Sequence, residues 1–382
     1  MASRTVDVVA LAPPSADPYA PGAAAWGLAA ALAERGDRVR VVFPGPEDGA
    51  PAPPGVEEAP VELALRRPGA AVEAAELAGA AARRLRPEVE LVLRDPIGLG
   101  RLGLRRSRGT GPLLAGFVRG LELDAFDRSG PSGSPTGIRD RLDRWLDRRA
   151  IRRLEAAALA EADRLFYDTP GVPALLKERY AIPESRCRVA LPAVARLPDA
   201  PSTEDARAAW RIPPDVPVVA APAAFEQAEP SGIDRAREAF RRVRSFFPGA
   251  RLIVTGASAP AEAHVTVAPE RDGTTLARAL AAADVAVFAR RLPGFDPGVV
   301  HALRAGRSAI VGPGVRLPVE PGEALRALPG DDAGEFASVL AELLADPAAR
   351  RPLASAGERY AAQFDPARVA AGIAEATRPG GA

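Results

Sequence analysis

The sequence predicts an α/β protein built from two doubly wound halves. Three observations carry this expectation. Short β-branched runs alternate with helical stretches, the alternation occurs in two series, and a proline-rich passage separates them. Strands alternating with helices imply parallel βαβ units, because parallel neighbours need a crossover of a dozen or more residues. The length of 382 residues suits two domains at roughly 100–200 residues each. The expected boundaries are 1–190 for a first Rossmann-like domain, 191–201 for a hinge and 202–382 for a second domain with closing C-terminal helices.

In the first series, Val6 to Leu11 reads as a strand ended by Pro13-Pro14. A helix follows from about Ala23 to Arg35, with Trp26, Ala30 and Ala33 at helical spacing and Gly36-Asp37 as its stop signal. Val39 to Phe43 is the next strand, and Leu91–Leu93 and Leu113–Val118 are further ones. RSGPSGSPTG, from 128 to 137, reads as a loop by composition. The helix that succeeds it carries Ile138, Leu142, Trp145 and Ile151 near one face, with arginines outnumbering Asp140, Asp143 and Asp147. Such a helix either rests on anionic lipid or is a solvated surface helix with (i, i+4) pairs such as Asp140–Arg144.

The passage Leu191–Pro201 marks the hinge, and the alternation then restarts. Strand Val216–Ala221 and helix Ile233–Phe247 precede strand Leu252–Thr255 and helix Thr274–Ala283. Strand Asp284–Phe288, helix Pro297–Ala305 and strand Ser308–Val311 follow. A final helical region runs from about Gly334 to Thr377, broken at Asp346-Pro347 and Asp365-Pro366. Two such halves place a ligand in the cleft between them, at the carboxyl ends of the strands.

Composition excludes several function classes. Fifty basic residues against 49 acidic ones give a net charge of +1, without the basic surplus of a nucleic-acid binder. A single cysteine, Cys187, excludes an intrachain disulfide framework and multi-cysteine metal sites. Cys187 itself reads as a small apolar filler in a strand or as a thiol activated by Arg186 and Arg188. With only His264 and His301, no metal and no cofactor are expected. The first residues lack the long apolar run of a signal peptide, and no stretch reaches the roughly 18 uncharged residues of a membrane span. The expected location is the cytoplasm, or the inner face of the membrane if the helix after Ile138 meets lipid.

Several stretches carry a family resemblance. ALAERGDRVRVVFP (Ala31–Pro44), IPESRCRVALP (Ile182–Pro192), FPGARLIVTG (Phe247–Gly256), LAAADVAVFA (Leu280–Ala289) and GERYAAQFDPARVA (Gly357–Ala370) occur in the order found in retaining GT-B glycosyltransferases of family 4, or group 1. The chain resembles that family over nearly its whole length. The resemblance implies a GT-B fold, two Rossmann-like domains around an interdomain cleft that takes a nucleotide-diphosphate sugar as donor substrate.

The family's four functional motifs are largely replaced. A glycine pair after the first strand corresponds to Tyr19-Ala20-Pro21-Gly22, where the pair is not kept and Gly22 is its partial replacement. The first-domain histidine falls at Arg119. The basic pair that neutralises the leaving diphosphate falls at Glu226 and Ser231, in the loop AFEQAEPSGID, which contains no basic residue. A charge pair about 4 Å apart is worth about 4 kcal/mol at an effective dielectric near 20, so acid in place of base reverses the local balance against a diphosphate. The paired glutamates, eight positions apart, fall at Pro293 and His301 of PGFDPGVVHALRAG. His301 can still hydrogen-bond a ribose hydroxyl or can be a helix-face residue without a ligand.

Asp296-Pro297 has the form of an N-cap followed by proline at the first helical position. In the family this helix end offers its N–H groups to phosphate; Asp296 either satisfies those groups itself or serves as a relocated sugar-binding carboxylate. Gly298 belongs to the same helix start, and Arg290, Arg291 and Arg304 are candidate phosphate contacts. The candidate catalytic residues are Arg119 and Asp296, and the candidate donor-binding residues are Gly22, Glu226, Ser231, Arg290, Arg291, Asp296, Gly298 and His301. The expected function is a catalytically silent or altered glycosyltransferase homologue in glycoconjugate assembly, with a partner glycosyltransferase or a second copy of itself. The alternative is an active retaining transferase with rearranged donor contacts.

Overall fold

The computed structural model describes residues 4–9, 23–44, 51–61, 88–92, 113–118, 138–223, 231–290 and 294–378. Among them the chain forms two compact units. The first takes the described residues of 4–193 together with 366–378; the second takes Val194–Asp365.

The first unit is a parallel sheet of β1 (Thr5–Val9), β2 (Arg38–Pro44), β3 (Val56–Val61), β4 (Val89–Val92), β5 (Leu113–Val118), β6 (Arg164–Tyr167) and β7 (Cys187–Val189), in the order β3-β2-β1-β4-β5-β6-β7. Side chains alternate across a strand, and both faces here are apolar. Val6, Val8, Val39, Val41, Phe43 and Leu91 face Trp26, Leu28 and Leu32 of α1 (Ala23–Glu34). Val9, Val42, Leu114 and Val118 face Leu159 of α2 (Ile138–Glu161) and Leu176 of α3 (Val172–Tyr180). Burial on both faces explains why these strands read as short Val-rich runs.

A buried ion pair interrupts this apolar sheet. Asp7 of β1 and Arg40 of β2 are register partners, and Arg40 Nε donates to Asp7 Oδ1 at 2.7 Å. Asp7 is wholly buried and its Oδ2 has no hydrogen-bond partner. Burial pushes its carboxyl above the usual range, while Arg40 pulls it back.

The second unit is a parallel sheet of β8 (Val218–Pro222), β9 (Arg251–Thr255), β10 (Val265–Ala268), β11 (Val285–Phe288), β12 (Ser308–Val311) and β13 (Arg326–Ala327), in the order β10-β9-β8-β11-β12-β13. Helices α4 (Thr203–Ala209), α5 (Ser231–Val243), α6 (Gly273–Ala282), α7 (Pro297–Arg304), α8 (Ala333–Ala345) and α9 (Pro347–Ala361) surround it. Ile233, Phe240 and Val243 of α5 and Phe336, Leu340 and Leu343 of α8 pack on Val219, Leu252, Val254 and Val285. At the amino end of this sheet Asp284 accepts from Val218 N at 2.8 Å and pairs with Arg207 and Arg350. Arg207 Nε also donates to Ala282 O at 3.1 Å, and Arg307 to Ala281 O at the same distance. These cations complement the negative C-terminal end of α6.

One sequence expectation is corrected here. The last helix, α10 (Pro366–Ala376), belongs to the first unit and not to the second. Val369, Ala370, Ile373 and Ala374 join the core around α1 because they form its apolar stripe. The unit boundary at Ala193/Val194 falls inside the expected hinge, 191–201, and from Val194 onward the passage is held within the second unit. Val194 N donates to Phe364 O at 3.0 Å, Arg196 pairs with Asp365 at 2.8 Å, and Arg304 Nη1 donates to the carbonyls of Val194 and Ala195 at 2.7 and 3.1 Å. The breaks at Asp346 and Asp365 stand where the sequence placed them; Asp346 closes α8 and caps α9, accepting from Ala348 N at 2.8 Å. The loop expected over 128–137 lies outside the described residues. No helix among the described residues is long and apolar enough to cross a membrane.

Candidate functional site

The strand order of the second sheet reverses between β8 and β11. In open parallel sheets the crevice at such a reversal, outside the carboxyl ends of the strands, is where ligands bind. Its rim here is formed by the ends of β8, β9, β11 and β12 and the helix starts that follow. At the end of β9, Gly256 has φ +77°, and a Cβ there would lie 2.8 Å from Ala223 O. Only glycine lets the ends of β8 and β9 approach this closely.

The loop after β11 is tied to the loop after β12. Gly314 N donates to Arg290 O at 3.0 Å, Gly294 N to Gly314 O at 2.9 Å, and Arg316 N to Gly294 O at 2.8 Å. The Arg290 guanidinium lies against Gly294, where a Cβ would meet Nη2 at 3.0 Å. Glycine therefore makes room for that cation, a role the sequence did not signal. Two residues on, Asp296 Oδ1 accepts from Gly298 N at 2.9 Å, with Pro297 at the first helical position of α7. Asp296 is 3% exposed. Burial pushes its carboxyl up to about 6, against the pull of the Gly298 N–H and of Arg290. Arg290, Asp296 and Gly298 thus come together at the rim.

His301 does not join them. It stands five residues further along α7, about 7–8 Å down the axis at 1.5 Å per residue. Its imidazole is buried, and burial, with Arg304 beside it, lowers it to about 3, so it is neutral at physiological pH. His301 lines a separate pocket of about 490 Å³ within the second unit, with Arg196, Leu280, Arg304, Glu358 and Asp365 among its walls. Arg304 is corrected as a phosphate contact, since it sits at the far end of α7 and spends its Nη1 on the Val194 and Ala195 carbonyls. That partnership spans more than a hundred residues and leaves no local sequence signal. Ser231 begins α5, its side chain lying outside the description; Gly22, Arg119, Glu226 and Arg291 also lie outside the described residues. Cys187 is buried, which raises its thiol, so the filler reading holds over the activated one. No group of three or more His, Cys, Asp or Glu side chains among the described residues could hold a metal ion.

No protein-family profile matches the chain, and no curated protein matches it in sequence. Solved structures do match. Sucrose-phosphate synthase from Thermosynechococcus elongatus aligns at TM-score 0.68 and 19% identity, covering 97% of each chain. WaaG, a glycosyltransferase involved in lipopolysaccharide biosynthesis, aligns at TM-score 0.68 and 16% identity over 98% of this chain and 100% of its own. Anabaena HepE, solved with UDP and glucose, aligns at TM-score 0.63 and 13% identity over 98% and 99%. The fold is that of the GT-B glycosyltransferases. At these identities the likeness defines architecture and leaves chemistry to the residues of the site.

Proposed function

We propose that the chain is a GT-B glycosyltransferase homologue of the family-4 type whose donor site is catalytically silent or altered. One observation carries this reading: Asp296 fills the N-terminal seat of α7 with the chain's own carboxyl, at 2.9 Å from Gly298 N. A phosphate bound there would need those N–H groups and would meet a like charge. Pro293 offers no carboxylate, and the neutral, inward-facing His301 adds no charge to the rim. Such a protein serves a partner glycosyltransferase of the same assembly route, or a second copy of itself.

Arg290 supports a second reading. Its guanidinium stands at the rim beside Asp296 and supplies one cation to an active retaining transferase with rearranged donor contacts. Calorimetric titration of the whole chain against UDP-, GDP-, ADP- and dTDP-sugars separates the two. The silent reading expects no saturable heat with any donor. Saturable binding of one donor, weakened by Arg290→Ala and Asp296→Ala, overturns it and names the substrate.

A further inference from the structure

We propose that the middle of α2 is a docking face for an anionic lipid surface. Trp145 and Leu146 are 52% and 49% exposed, a large apolar pair left outside the core. The Arg149 guanidinium lies over the Trp145 ring, 5.2 Å from its centre. Arg148, Arg152 and Arg153 are exposed on the same stretch of helix. At 100° per residue, positions 145, 146, 148, 149, 152 and 153 share an arc of about 160°. The helical positions of Asp140, Asp143 and Asp147 fall about 160–220° around the axis from position 145, on the opposite side. The positions of Arg139 and Arg144 fall between these two arcs, at about 120° and 260°, so the four exposed arginines and the exposed tryptophan share one side.

An evenly solvated helix needs neither feature. Indole prefers the headgroup boundary, where its ring is buried and its N–H stays wet, and arginines beside it meet lipid phosphates. The occupant is thus a bilayer with anionic headgroups, which complements both the charge and the apolar pair. Nucleic acid would use the arginines alone and leave Leu146 without a role. The face involves none of the rim residues, so the inference stands independently of donor binding.

The test is co-sedimentation of the full chain with vesicles of phosphatidylcholine alone and with a minority of phosphatidylglycerol. Binding is expected only to the anionic vesicles and is expected to fall with added salt. Trp145→Ala/Leu146→Ala should lower the partition coefficient by at least about tenfold. Arg149→Glu/Arg152→Glu/Arg153→Glu should lower it by about a hundredfold or more. All five residues are exposed, so the melting temperatures of both variants should stay near that of the parent. Absence of binding to anionic vesicles, equal binding to neutral ones, or binding indifferent to both variants overturns the proposal. Capture of single-stranded RNA in place of vesicles overturns it equally.

Discussion

Asp296, the cap of α7, and His301, five residues on within the helix, are buried ionisable groups whose burial acts in opposite directions on stability. The Asp296 carboxyl is raised to about 6, so its favourable contribution is complete below about pH 4 and is lost as pH rises through 6. The His301 imidazole is lowered to about 3, so its contribution is complete above about pH 6.5 and is lost as pH falls toward 3. Between pH 4 and 6 the two slopes oppose one another. Asp296→Asn keeps a capping oxygen and removes the charge. Relative to the parent, its stability should rise between pH 4 and 6 by about 3 kcal/mol, at 1.36 kcal/mol per pKa unit. His301→Gln should shift the profile the other way. Urea midpoints across that window check both, and parallel profiles for parent and Asp296→Asn would sink the account. The cap was legible in the sequence because Asp-Pro before an apolar run is a local signal. The depth of its burial and the turning of His301 into another pocket were not, because both depend on packing between distant segments.

Helices and strands differed in how far they could be read. Helices α6 and α7 stand within a residue of their expected limits at each end, and α5 starts two residues early and ends four residues early. Strands β3, β6, β10 and β13 and helix α4 went unrecognised. The strands span two to six residues, too short for periodicity to separate them from buried helix or loop. The Asp7–Arg40 pair shows what such strands carry besides apolar side chains. It lies between β1 and β2 inside the sheet, where each ion lost its water. Arg40→Met leaves the Asp7 carboxylate uncompensated and should cost about 3–5 kcal/mol. The double variant Asp7→Leu/Arg40→Met should cost clearly less than the sum of its single changes. Denaturant unfolding of the four proteins of this cycle gives the coupling, and strict additivity would remove the pair from the account.

On the scale of the whole molecule, the chain passes from the first unit to the second at Ala193/Val194 and returns at Asp365/Pro366. The returning α10 lays Val369 and Ile373 into the core around α1. Full burial of two such side chains contributes about 3–6 kcal/mol, a large share of the 5–15 kcal/mol that holds a typical domain together. Truncation after Asp365 should therefore abolish hydrogen-exchange protection in β1 and β2 while β8, β9 and β11 keep theirs. Unchanged protection in the first sheet would show that α10 is dispensable there. The same threading has a consequence for biosynthesis. Strands β1–β7 are translated before α10, the helix that packs on α1 in the core over one face of their sheet. The second unit has all its segments in hand before that, since it lies between the two crossings. The first unit thus closes its core only after the second has been translated, and the apolar surface that receives Val369 and Ile373 stays open to the cell's chaperones until α10 emerges.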